Sequence, residues 1–279
     1  MNNLIQRTIT GILFVAVIVG CILFHPITFG VLFAIVTGLS VYEFSSLVNK
    51  TDGIKVNPLI TTTGGVFLFF AFWGYCEGIA NPATSIFIPY LIVLIYFFIS
   101  ELYLKKERPI DNWAYSVLSQ IYIAFPLSLL NVLAFQGTEG LVIEYNPILP
   151  LSVFVFIWAN DTGAYCVGSM IGKHRLFERI SPKKSWEGSI GGGLLVLVVA
   201  LVFAHYFSFM SSLEWLGLGL TVVVFGTWGD LVESLLKRHL GIKDSGHILP
   251  GHGGMLDRFD SAIMAIPAAV VYLYSLNAF

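Results

Sequence analysis

The sequence predicts an all-α, polytopic integral membrane protein, and three observations carry that prediction. Of its 279 residues 56% are hydrophobic and 11% are charged, with 23 Phe, 12 Tyr and a mean hydropathy of +0.81, which is more apolar surface than a soluble domain of this length buries. Nine apolar stretches recur along the chain, each close to the roughly 17 to 25 residues that a helix needs to cross a bilayer. All 15 Lys and Arg residues fall in the N-terminal segment or in alternate connections between those stretches.

The nine stretches run Ile9–Phe24, Ile27–Val48, Leu59–Tyr75, Ser85–Leu104, Val117–Phe135, Ile148–Gly172, Ser189–Phe207, Leu213–Leu231 and Ser261–Ala278. The first lacks a small-residue cleavage site and is followed at once by the second across His25-Pro26, so it reads as a mature helix. With the N-terminus in the cytoplasm, Arg7, Lys50, Lys55, Lys105, Lys106, Arg108, Lys173, Arg175, Arg179, Lys183, Lys184, Lys237, Arg238, Lys243 and Arg258 all lie on that side. The opposite loops, around His25, Glu77 to Ala83, Gln136 to Asn146 and Phe209 to Ser212, hold no Lys or Arg. A spurious span would break the alternation, so about nine helices are expected, with the C-terminus on the far side.

Net charge is -2 and carries no sign of nucleic-acid binding. Cys21, Cys76 and Cys166 sit singly in or beside apolar segments without metal or disulfide spacing and read as small buried hydrophobes. Two regions are expected. Residues 1–147 are a helical scaffold with lipid-facing and oligomer contacts, and residues 148–279 carry the chemistry in two polar cytoplasmic loops. Loops Lys50 to Asn57 and Lys105 to Trp113 read as ordinary connectors, and Trp158 and Trp186 as interfacial belt residues.

The later polar loop is the denser of the two. If the eighth helix continues past Gly229, Asp230, Glu233, Ser234 and Lys237 fall on one face at i, i+3, i+4 and i+7. Gly241 is a suitable stop, and Lys243 to Gly254, with four glycines and one proline, is a loop. Asp257 and Asp260 follow at i, i+3 as the last helix opens, where acidic side chains suit the helix dipole. Carboxylates gathered at a membrane surface among Lys and Arg suit Mg²⁺ and a phosphate-rich substrate, because Mg²⁺ takes hard oxygen ligands shared between carboxylates and phosphates. Gly253-Gly254 lets a backbone approach a phosphate closely.

The run Ser234, Leu236, Lys237-Arg238, Lys243-Asp244, Gly246, Leu249-Pro250, His252-Gly253-Gly254-Met255, Asp257-Arg258-Phe259-Asp260 resembles the signature of the phosphatidate cytidylyltransferases, the membrane CDP-diacylglycerol synthases. The resemblance covers about Trp158 to the C-terminus. It implies the reaction of CTP with phosphatidate to give CDP-diacylglycerol and pyrophosphate, with Mg²⁺ required and a monovalent cation such as K⁺ beside it. It implies that Asp230 and Asp257 hold metal, with Lys237 and Asp260 close by in the catalytic group.

In the earlier loop, Asp161 lies inside the sixth stretch, and Gly163, Gly168 and Gly172 leave that helix slender enough for close packing. Lys173 follows, then Ser181-Pro182-Lys183-Lys184-Ser185 before the seventh stretch, a turn that offers hydroxyl, ammonium and N–H groups to a phosphate. In the family resembled this is the nucleotide-binding part, while taken alone the lysines also suit positive-inside anchors. The substrate-binding residues expected are thus Asp161, Lys173, Lys183, Lys184, Ser185, Ser234, Arg238, His252, Gly253, Gly254 and Arg258, with His252 either a donor to phosphate or a stabiliser of its turn.

Two rivals stand beside this reading. One is a transporter using Asp161 and Asp230 for a cation or proton, although no inverted repeat is visible and the polar residues collect on one side. The other is a related enzyme, a CDP-alcohol phosphotransferase, whose aspartates at helical spacing after an Asp-Gly start are absent here, or a cytidylyltransferase acting on another lipid phosphate. The expected setting is a homodimer in a bacterial cytoplasmic membrane with its active site toward the cytoplasm.

Overall fold

A computed structural model describes residues 3–79, 83–138, 142–242, 244–246 and 253–276. As far as they are described, the nine expected stretches each fall mainly on a helix: α1 (Asn3–Phe24), α2 (Pro26–Val48), α3 (Pro58–Cys76), α4 (Ile88–Leu104, entered through a 3₁₀ turn at Ala83–Phe87), α5 (Pro109–Ala134), α6 (Ile148–Ile171), α7 (Trp186–Tyr206), α8 (Ser212–His239) and α9 (Leu256–Ser275). Among the described residues six helices are long and apolar enough to cross a membrane by themselves: α2, α3, α4 with its entry turn, α5, α7 and α8. Of the other three, α1 is apolar over Thr8–Phe24, α6 carries Asn160-Asp161 in mid-helix, and α9 opens with Asp257, Arg258 and Asp260.

Two short antiparallel hairpins interrupt the helices where sequence reading expects loops. β1 (Phe135–Thr138) pairs with β2 (Val142–Tyr145), and β3 (Arg175–Phe177) pairs with β4 (Ser181–Ser185). Hydropathy periodicity cannot reveal strands of three to five residues, because their partners rather than their composition define them.

The chain divides into two compact units, residues 1–147 with 240–259, and residues 148–239 with 260–279. In the first unit α2 and α3 pack through Gly38 against Val66 and through Gly65 against Val41, and the hydroxyls of Ser45 and Thr61 meet at 2.8 Å. Phe29, Phe33, Phe44, Phe69, Leu127, Leu130 and Leu133 are fully buried around them. Helix α5 widens into a π turn at Gln120–Ala124. Pro126 has no N–H to give to the carbonyl four residues back, and the wider turn absorbs that loss. The turn is itself tied down, since the Gln120 amide donates to the Thr61 carbonyl at 3.0 Å.

The two connectors read as ordinary meet in one buried polar knot. Glu101, near the end of α4, receives Lys106 Nζ at 2.6 Å and Asn112 Nδ2 at 3.0 Å, while Asn112 Oδ1 accepts the Lys55 N–H at 2.7 Å. Glu101, Lys106 and Asn112 thereby satisfy one another, as burial demands.

In the second unit α6 and α7 lie almost backbone to backbone. A Cβ on Gly192 would fall 2.6 Å from the Asn160 carbonyl oxygen, and one on Gly163 would fall 2.9 Å from the Gly192 Cα. Such contacts replace the hydrophobic driving force that lipid does not supply between helices. Gly192→Val is therefore expected to lower stability by about 1–3 kcal/mol, the usual cost of forcing volume into a packed interface, read as an earlier thermal transition in detergent. Trp215 on α8 is fully buried against Phe156, Phe203, Phe207 and Phe209, and its indole N–H donates to the Phe207 carbonyl at 3.1 Å.

Candidate active site

The last turns of α8 present the polar stripe expected from the sequence. Ser234 Oγ donates to Asp230 Oδ1 at 3.2 Å, and Lys237 pairs with Glu233 one turn earlier. Lys237, Arg238 and His239 fill the final turn, where the negative end of the helix dipole favours cations. Helix α9 comes close to α8 because position 229 is glycine: a Cβ there would sit 2.5 Å from the Asp260 carbonyl oxygen. That approach brings Asp260 to the stripe.

Asp230, Glu233 and Asp260 consequently form a cluster in which one carboxylate oxygen from each lies within 4.8 Å of the others. Glu233 is completely buried. Three carboxylates held this close repel one another unless cations offset them. Lys237 supplies one through Glu233, and Lys184 supplies another, its Nζ lying 2.5 Å from Asp230 Oδ2. A convergent set of hard oxygen donors with excess negative charge fits a divalent cation such as Mg²⁺. Glu233 belongs to this set although sequence reading gave it only a place on the stripe; its i+3 spacing from Asp230 was the available signal.

Lys184 also leads into a cleft of about 460 Å³ between α6, α7 and the β3–β4 hairpin. Asp161, Lys183, Lys184 and Ser185 line it, as expected for substrate contacts, and so do Asn160, Tyr165, Arg175 and Thr227, which sequence reading did not select. The hairpin aims Lys183 and Lys184 here, and Ser185 ends it as the N-cap of α7, accepting the Gly188 N–H at 3.1 Å. The mouth is braced by Glu187, whose carboxylate accepts the backbone N–H groups of Lys173 and His174 at 3.2 Å and meets His174 Nδ1 at 2.6 Å. Lys173 itself is exposed at this brace, outside the cleft lining, and Arg238 reaches the Ile180 carbonyl at 3.4 Å, tying α8 to the hairpin.

The remaining expected residues belong to the first unit. Asp257 accepts the N–H groups of Ser245 at 2.9 Å and Gly254 at 2.8 Å, so its carboxylate closes the loop onto the start of α9. Gly253 has φ +83°, a left-handed conformation open to glycine, and a Cβ there would press on Asp257. Arg258 is exposed, Gly254 is buried, and His252 and Lys243 lie outside the described residues.

Fold and site together define a multi-pass helical membrane protein with a carboxylate cluster joined to a basic cleft. Residues 5–276 match the family described as Cytidylyltransferase family, and the chain belongs to that family. It is similar to the phosphatidate cytidylyltransferase of Haemophilus influenzae, 33% identical over 281 residues covering 94% of this chain and 96% of that protein. It is likewise 33% identical over 271 residues to the Staphylococcus aureus phosphatidate cytidylyltransferase, covering 96% and 98% of the two chains. The Staphylococcus saprophyticus protein of the same name is 39% identical over 189 residues, 67% and 69% of the respective lengths.

Proposed function

We propose that the chain is a phosphatidate cytidylyltransferase, a nucleotidyltransferase that joins CTP and phosphatidate into CDP-diacylglycerol and pyrophosphate for phospholipid synthesis. The observation that carries this reading is Lys184, which lines the cleft and contacts the Asp230 carboxylate of the cluster. The names of the relatives and the family membership support it.

An oxygen of the phosphatidate phosphate, already anionic at neutral pH, forms a bond to the α-phosphorus of CTP. The bond from that phosphorus to the bridging oxygen breaks, and its electron pair leaves with pyrophosphate. Covalent help is not required of the protein, so catalysis rests on positioning and charge. Lys183, Lys184, Ser185 and Arg175 hold the CTP phosphates in the cleft. Lys237 offsets charge on the lipid phosphate or the transition state. Asp230, Glu233 and Asp260 would hold Mg²⁺, which when bound neutralises and orients the reacting phosphates. A monovalent cation such as K⁺ beside it, and the metal-ligand role of Asp257 implied by the signature, are parts of the same proposal.

The setting proposed is a bacterial cytoplasmic membrane crossed nine times, with the N-terminus and the polar loops in the cytoplasm and the C-terminus outside, because that arrangement gathers all 15 basic residues on one side. Residues 148–279 carry the chemistry and residues 1–147 support it, in a homodimer whose stoichiometry light scattering of the detergent-solubilised protein would read.

The deciding experiment measures pyrophosphate release from CTP by purified protein, with and without phosphatidate and Mg²⁺, for wild type and Asp257→Asn. Release that needs both lipid and metal is expected, falling sharply in a still-folded Asp257→Asn protein. No lipid-dependent release under any divalent metal would overturn the reading and favour transport.

A further inference from the structure

The mechanism above uses no residue of the first five helices, yet α2 carries a carboxylate buried to 5% exposure, Glu43. A buried carboxylate is costly unless it is fully bonded. Glu43 is bonded to a segment more than two hundred residues away: Oε1 accepts the Met255 N–H at 2.9 Å, Oε2 accepts the Leu256 N–H at 2.9 Å, and the Ser245 hydroxyl lies 3.3 Å from Oε2. Those N–H groups stand at the entry to α9, where no helical carbonyl is available to them and the positive end of the helix dipole favours an anion.

The loop is shaped around this side chain. A Cβ on Gly246 would lie 2.5 Å from Glu43 Oε1, and one on Gly254 would collide with Oε2. Asp257 grips the same loop from within α9, so that Ser245 offers its hydroxyl to Glu43 and its N–H to Asp257. Two carboxylates, one on α2 and one on α9, thus share one short piece of backbone.

We propose that Glu43 is a positioning residue for the reaction. Its carboxylate fixes Ser245, Met255 and Leu256 at the start of α9, and through that backbone orients Asp257. This inference rests on the cytidylyltransferase reading.

Glu43→Gln keeps the shape but sets an amide NH₂ where two main-chain N–H groups need acceptors, so one of them loses its partner. The folded variant is expected to lose about 10- to 100-fold in kcat, the usual cost of removing a group that orients metal ligands. Half-saturation by Mg²⁺ is expected to rise by a similar factor while KM for CTP stays near wild type, since the cleft is built from other elements. Glu43→Asp, which keeps the charge, is expected to restore part of both. A merely structural role would lower the thermal transition and leave the Mg²⁺ dependence unchanged, and that result would overturn the proposal.

Should Glu43→Gln fail to fold, Ser245→Ala removes only the hydroxyl contact and is expected to shift the Mg²⁺ dependence in the same direction by a smaller factor; an unshifted dependence would count against Glu43. If wild type itself releases no pyrophosphate, the functional reading fails separately. Amide exchange of the peptide spanning Gly253 to Asp260 then judges Glu43 in the same samples: faster exchange in Glu43→Gln, or in Ser245→Ala, supports the proposal, and unchanged exchange overturns it.

Discussion

Asp230→Asn is expected to lower kcat for pyrophosphate release by about 10³-fold, equivalent to about 4 kcal/mol of transition-state stabilisation. Asp230 is the point at which three interactions meet: the carboxylate cluster with Glu233 and Asp260, the Ser234 hydroxyl, and the Lys184 ammonium. Asparagine preserves the volume and can still accept from Ser234, so the fold should persist. What it removes is an anionic oxygen, and Mg²⁺ depends on anionic oxygens. The check is a Mg²⁺ titration of steady-state activity together with thermal melting. An unchanged melting curve with a strongly weakened Mg²⁺ response is the outcome expected. A loss smaller than about tenfold would mean that this cluster does not hold the catalytic metal.

Lys184→Ala is expected to reduce kcat/KM for CTP by about 10²-fold, the scale of removing one charged group from a phosphoryl-transfer site. A second effect should run the other way. With its Nζ 2.5 Å from Asp230, Lys184 would compete with a bound metal for the same carboxylate. Removing it leaves the cluster more negative, so Mg²⁺ should half-saturate at lower concentration even as CTP binds more weakly. Opposite shifts in the two dependences are a signature that simple unfolding does not produce. Lys184→Arg keeps the charge but replaces a compact ammonium by a planar fork, and partial recovery is expected. If both dependences weaken together, Lys184 serves the local structure and does not link cleft to cluster.

Several parts of this site were legible before any coordinates. The i, i+3, i+4, i+7 spacing of Asp230, Glu233, Ser234 and Lys237 required only that α8 continue past Gly229, and the Ser234–Asp230 and Lys237–Glu233 contacts follow from that helix alone. Lys183, Lys184 and Ser185 were marked by their position before a helix start. Arg175 was not, because its place in the cleft depends on a hairpin whose strands are too short to leave a pattern. Glu43 is one polar residue near the end of an apolar helix, and nothing local in the sequence distinguishes it from a boundary residue.

The sequence by itself determined that this chain is helical and membrane-embedded and where each helix lies. In lipid the backbone must satisfy its hydrogen bonds within each segment, so the length and polarity of a local run are sufficient. Tertiary structure alone decided which carboxylates meet. Asp260 joins Asp230 and Glu233 because Gly229 lets two helices touch, and Glu43 meets Met255 and Leu256 because chain folding brings α2 to the entry of α9. Contacts between residues so distant along the chain are products of packing, and no window of sequence contains both partners.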